Sequence, residues 1–272
     1  MIAIDRSYLD IGAKIQKVED NTPPSIAINP LTTFTPMPWD QCGYGIGGSW
    51  NDPCGYGFDS TDSFQNWCRQ NRCDLPSNYI NIDFNLNRLV FISAGDYGLG
   101  WGIQIGDVFT YSGETVVQVR RNNVQLSSTS QRSYLLLSMS KQSQKYTVEY
   151  LVNGQDCFLD SGNSLPLRNS GSWVLSSAQE MNRFAGNGAS NMPQSLSGFD
   201  YSKGNLGVIY LGQVQPHVSF SVDRVAYRGS TAMVYMKKSV NISGIASSTL
   251  PYYAFRFDKK IKSVKVVDMS NL

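Results

Sequence analysis

The chain repeats itself. Phe58-Asp59-Ser60-Thr61-Asp62-Ser63-Phe64 returns 101 residues later as Leu159-Asp160-Ser161-Gly162-Asn163-Ser164-Leu165, each copy an apolar residue followed by Asp and Ser in a polar turn. A second echo follows each copy: the Gly-rich stretch opening at Tyr97-Gly98 matches in outline the stretch opening at Tyr201, 38 residues after Asp59 and 41 after Asp160. Repeats in the same order predict two related lobes, because a duplicated unit buries its apolar face against its sibling. Two such lobes can bring matching acidic turns face to face across a pseudo-twofold axis.

The segments between the turns alternate with a period of two, the mark of half-buried strands. Ile80, Ile82, Phe84 and Leu86 face one way and Asn81, Asp83 and Asn85 the other. The same alternation marks Tyr146 to Val152, Val218 to Val222 and Tyr253 to Phe257, and Asn153-Gly154 predicts a hairpin turn. Only two helices are expected. One covers residues 61–70, with Phe64, Trp67 and Cys68 on one face; the other begins at a capping box of Ser176 or Ser177 with Gln179 or Glu180 and stops at Gly186. The class is therefore all-β with two short helices.

Composition excludes several functions. The 23 Lys and Arg against 21 Asp and Glu leave a net charge of +2, too little to hold nucleic acid or an anionic membrane. Lys259, Lys260, Lys262 and Lys265 alternate with Ile261, Val264 and Val266, which predicts an edge strand guarded by lysine. No apolar run is long enough to span a bilayer, and Asp5, Arg6 and Asp10 interrupt the place where a signal peptide needs its apolar core. Of five cysteines, Cys42, Cys54, Cys68 and Cys73 cluster and Cys157 stands apart. With one His in the chain, a metal site is not expected; the readings are disulfides, with Cys68 and Cys73 the easiest pair to close, or a reduced buried set. Disulfides would favour an extracellular or virion-associated setting.

The second half resembles the pepsin-like aspartic peptidases and their single-lobe retropepsin relatives. Tyr146 to Gly162 is similar to that family's strand, hairpin and strand leading into its Asp-Thr/Ser-Gly turn. Pro216 to Val222, Ile242-Ser243-Gly244 and Tyr252 to Asp258 follow in the family's order, so the resemblance covers about residues 144–268. The first half departs from it: Thr61 stands where the family has Gly, and Leu135-Leu136-Leu137-Ser138 replaces its apolar-apolar-Gly piece. The resemblance implies a bilobal β-barrel architecture with an N-terminal arm at 1–50 and lobes at 51–143 and 144–272. It also implies a catalytic dyad of Asp59 and Asp160, braced by Ser60, Ser161 and Gly162, under a substrate-binding flap carrying Tyr97 and Gly98. No cofactor is required, and the partner is a polypeptide in the cleft between the lobes.

The chemistry suits these residue types. Two carboxylates about 3 Å apart share one proton, so one can activate water while the other donates to the scissile carbonyl. Bland readings stand beside it. Asp-Ser-Gly is a common turn, Tyr97 an ordinary strand aromatic, His217 a surface residue, and Asn241-Ile242-Ser243 a sequon that chance supplies. Two other functions also stand. One is a virion or surface structural or attachment protein, motivated by 16% charged residues and a Pro-rich arm suited to assembly contacts; the other is a glycan-binding sandwich using Trp50, Trp101 and Trp173.

Overall fold

The computed structural model describes residues 35–76, 82–141, 145–165, 167, 169–215, 217–240 and 249–269. In chain order the strands are β1 (Thr35–Pro36), β2 (Trp39–Ile46), β3 (Cys54–Phe58), β4 (Asn87–Ser93), β5 (Trp101–Tyr111), β6 (Glu114–Gln125), β7 (Ser133–Ser140) and β8 (Tyr146–Val152). They continue as β9 (Phe158–Gly162), β10 (Gly171–Leu175), β11 (Asn205–Tyr210), β12 (Val218–Arg228), β13 (Thr231–Val240), β14 (Tyr252–Phe257) and β15 (Ser263–Asp268). The helices are α1 (Thr61–Asn71), α2 (Gly154–Cys157), α3 (Ala178–Ala185) and α4 (Gln194–Ser197). The protein is mostly β, as its alternation predicts.

The strands build one sheet in the order β1-β5-β6-β8-β12-β13-β15 and two smaller sheets, β2-β7-β4-β3 and β9-β14-β11-β10. The small sheets are copies of each other in topology, and the ladders prove it. Phe58 faces Leu89 as Leu175 faces Leu206, an offset of 117 residues. Val108 faces Val117 as Val225 faces Val234, and both hairpins carry a bulge at the same place, Gly106 in one and Asp223 in the other. β6 pairs in parallel with β8 as β13 does with β15. Cys42 bulges from β2 where Leu159 bulges from β9. The duplication is real, but its offset is 117, becoming 118 from β7 and β14 onward, rather than 101, and the repeats meet at residues 153–157, the link between β8 and β9.

This register separates the two acidic turns. Asp59 corresponds to Ser176 and Asp160 to Gly43. Asp59-Ser60-Thr61 is a helix start: Ser60 has extended backbone and accepts from the Ser63 amide, as Ser177 accepts from Glu180 at the start of α3. Asp160-Ser161-Gly162 is strand, paired with Ala254, Tyr253 and Tyr252 of β14. Similar letters adopt different structures because their neighbours differ: Phe64, fully buried, holds one segment as a helix, while the β14 ladder holds the other as a strand.

The large sheet is rolled. β5 and β15 are five strand spacings apart, about 24 Å if flat. Yet Phe109 of β5 shares one buried cluster with Val267 and Met269, and the Lys265 ammonium lies 5.7 Å from the centre of the Tyr111 ring. The sheet must therefore curl until its ends face each other. Among the described residues no ladder joins β5 to β15, and β1 occupies the β5 edge instead. β8 pairs antiparallel with β12, so the repeats follow one another around the roll.

Several local expectations change. Asn153-Gly154 opens the helical turn α2 and makes no hairpin, since β8 and β9 belong to different sheets. Residues 84–86 form a turn in which the Asp83 carboxylate accepts from the Asn85 amide, so the strand begins at Asn87; Ile80 lies outside the described residues. The Gly-Tyr-Gly pieces at 43–45 and 55–57 are strand despite their glycines. Glycine is required at Gly45 because a Cβ there would meet the Tyr134 ring at 2.2 Å. Cys68 and Cys73 form a disulfide that fastens the end of α1. Ile242-Ser243-Gly244, Pro216 and the sequon at Asn241 lie outside the described residues.

Candidate functional site

Asp59 sits beyond the end of β3, where Arg88 of β4 forks onto both its oxygens at 2.8 and 3.0 Å. This guanidinium holds the Asp59 carboxyl below the usual carboxylate range. Asp160 lies on β9 in the other small sheet and accepts from its neighbour's amide, Ser161, at 2.8 Å, from the Tyr252 hydroxyl at 2.9 Å and from Ser195. Burial first, and then donation to Asp160, raise the Tyr252 hydroxyl to about 12. The two carboxylates share no partner; the Ser60 hydroxyl accepts from the Ser63 amide, and Ser161 gives Asp160 its backbone amide. Gly162 is a packing glycine, with a Cβ there meeting the Tyr252 ring at 2.6 Å.

Tyr97 belongs to the core. It lies in the 3₁₀ turn Gly95–Gly98, in which Gly98 is buried, and its ring stacks on Tyr150 at 4.6 Å. Tyr227 packs against it at 5.4 Å and the Lys260 ammonium lies 3.6 Å from its centre. Tyr97 touches the outer clusters of both repeats, so it bridges them. Burial, followed by the charge of Asp258, pushes its hydroxyl pKa up. The hairpin expected over 97–106 forms elsewhere, with its turn at Ser112-Gly113. Trp50 stacks on Trp67 at 5.2 Å, and Trp173 packs edge-on against Phe184.

The strongest polar constellation escaped the sequence. Glu149 is fully buried inside the roll and accepts from Gln118 at 2.9 Å, from Tyr235 at 2.6 Å and from Arg228 at 2.7 and 3.1 Å. Gln118 and Glu149 come from the first repeat, Arg228 and Tyr235 from the second, so the network ties the joint between them. Alternation alone placed Glu149 on a wet face; only the roll buries both faces of β8. The network leaves no carboxylate oxygen without a donor, which is the arrangement of a structural ion pair.

The open site is a cleft of about 950 Å³ in the second repeat. Phe158, Ser161 and Gly162 of β9 form one wall, Phe220 and Val222 of β12 the other, and Tyr253 and Phe255 of β14 the floor. β9 is the outermost strand of its sheet, and the β12 ladder with β8 covers only Val225 to Tyr227, so both walls present strand edges. Phe158 is 41% exposed. A smaller depression of about 450 Å³, lined by Arg120, Arg121 and Arg224, continues from the same Asn153 and Gly154. A groove of this kind can take an extended polypeptide by strand addition, with the backbone giving affinity and the aromatic floor giving selectivity.

No described helix is long and apolar enough to cross a membrane, and among the described residues no group of three or more His, Cys, Asp or Glu side chains gathers to hold a metal. No family model, curated protein or solved structure matches the chain, so the pepsin-like resemblance rests on its motifs alone.

Proposed function

We propose that this is a structural or attachment protein of an assembly, of the virion or surface class, that works by accepting an extended polypeptide segment in the cleft of its second repeat. The observation that carries the reading is the pairing of two strand edges around an aromatic floor: an edge left unpaired is a template for another chain. The peptidase reading needs Asp59 and Asp160 to share a proton, whereas each is satisfied by its own partners, Arg88 for one and Ser195 with Tyr252 for the other. Those separate partners support a role without catalysis.

The test is direct. Fluorescein-labelled, uncharged, Pro- and aromatic-containing twelve-residue peptides are titrated with the protein and with Phe158→Asp, and the same protein is incubated with unfolded casein at acidic pH. Saturable binding that weakens at least tenfold in the variant, with casein intact, supports the reading. Casein cleavage that vanishes in both Asp59→Asn and Asp160→Asn overturns it and restores the dyad.

A further inference from the structure

The first repeat carries a template for what fills this cleft. The cleft residues Phe220, Val225, Tyr253 and Phe255 correspond, through the shared ladders, to Ile103, Val108, Leu135 and Leu137 of the first repeat. Those four belong to a cluster against which Met37 and Trp39 pack. The cover comes from the arm: β1 pairs with Thr110 and Phe109 of β5, and the Met37 amide donates to Val108 at 3.0 Å. This is the register in which Tyr150, Leu151 and Val152 of β8 meet Tyr227, Ala226 and Val225 of β12. In the second repeat β8 supplies the strand, but the five residues that follow it, Asn153 to Cys157, include no aromatic, and a cleft remains between exposed Phe158 and half-buried Phe220 and Val222, above the buried Val225, Tyr253 and Phe255.

We infer that the cleft receives residues 21–34 of a second copy of this chain, joining copies head to tail. The inference rests on the binding reading above and names its partner. Three observations select it. Residues 21–34 contain no Asp, Glu, Lys or Arg and carry Ile26, Ile28, Leu31 and Phe34 among three prolines, a composition like that of Pro36-Met37-Pro38-Trp39, which covers the first repeat. β1 runs antiparallel to β5, so its first residue, Thr35, lies at the Tyr111 and Ser112-Gly113 end of β5. The cleft lies at the other end, along the half of β12 remote from its own turn at Gly229-Ser230. Donor and acceptor therefore sit at opposite ends of one molecule. Such a contact is heterologous and propagates from copy to copy unless it closes into a ring.

Full-length protein is followed by sedimentation velocity over rising concentration, beside an acceptor-only variant (Ile26→Asp, Ile28→Asp, Leu31→Asp) and two donor-only variants, Phe158→Asp and Ser161→Arg, all folded by circular dichroism. The wild type is expected to grow with concentration, each variant to remain a monomer, and an acceptor-only and donor-only mixture to give a dimer. A wild type that stays monomeric while a labelled 21–36 peptide binds the acceptor-only variant overturns the second copy in favour of the chain's own arm. If the 21–36 peptide fails but the unrelated peptides bind, the partner named here is wrong and the binding reading stands. If no peptide binds, both fall.

Discussion

Met37 and Trp39 cover Ile103, Val108, Leu135 and Leu137, whereas the counterparts Phe220, Val225, Tyr253 and Phe255 line a cleft in which Phe220 is half-buried and the other three are already packed into the core. The two repeats hold the same ladders in the same register, down to the bulges at Gly106 and Asp223. Backbone pairing was therefore retained while side chains outside the ladders diverged, and those side chains decide whether a surface is core or site. One repeat carries a cover of its own; the other leaves a cleft.

The comparison can be broken first at the joint. Removing Arg228 leaves the Glu149 carboxylate buried without its cation, so Arg228→Leu is expected to lower unfolding free energy by about 3–5 kcal/mol in urea titration. Glu149 and Arg228 correspond to Val267 and Tyr111, which flank the seam of the roll and carry no charge pair. The double variant Glu149→Val with Arg228→Tyr should recover most of the loss, since a packed apolar replacement of a buried pair is often neutral. A double variant as unstable as the single would show that the joint and the seam are not equivalent.

The caps sharpen it further. Ser60 and Ser177 begin α1 and α3 in matching positions, and Ser60→Ala or Ser177→Ala should each cost about 1 kcal/mol in the same titration. The α3 cap has an additional brace, because the Glu180 carboxylate accepts from the Ser176 amide at 2.6 Å and its hydroxyl at 2.9 Å. Equal losses confirm that the caps are interchangeable parts of one repeated unit.

The smallest expected effect is electrostatic. Arg88 lowers the folded-state pKa of Asp59, so the pair stabilises the fold above the ordinary carboxylate range and its contribution is lost as pH falls through the lowered value. Because Asp59 is largely exposed, the contribution is below about 1 kcal/mol. Arg88→Ala should therefore cost that small amount at pH 7 and progressively less as pH falls below about 4, which flattens the acid limb of stability. A large loss at pH 7 would mean that Arg88 does more than pair with Asp59.

The fold class, α1, α3, the β8, β12 and β14 strands, the edge position of β15 and the Cys68–Cys73 bridge were all legible, because period-two alternation, capping residues and short loop closure are local signals. The existence of a duplication was legible too, but not its register. Asp59-Ser60 and Asp160-Ser161 look alike as letters, whereas the residues that correspond in space, such as Phe64 with Met181 or Tyr56 with Trp173, share only size and burial. Ladders constrain volume and direction of side chains more than identity, so a true repeat fades while a chance one persists. The cleft was invisible for a related reason: it arises where Asn153 to Cys157 offer no counterpart to the Met37 and Trp39 cover, an absence that only the matched ladders reveal.

The carboxylate of Glu149 has one further consequence. A gene encoding only residues up to 152 would leave the Glu149 carboxylate without Arg228 and Tyr235, and one starting at 153 would leave Arg228 and Tyr235 without Glu149. Whatever ancestor was doubled, its descendants are now mutually dependent, and neither can be inherited, expressed or exchanged without the other.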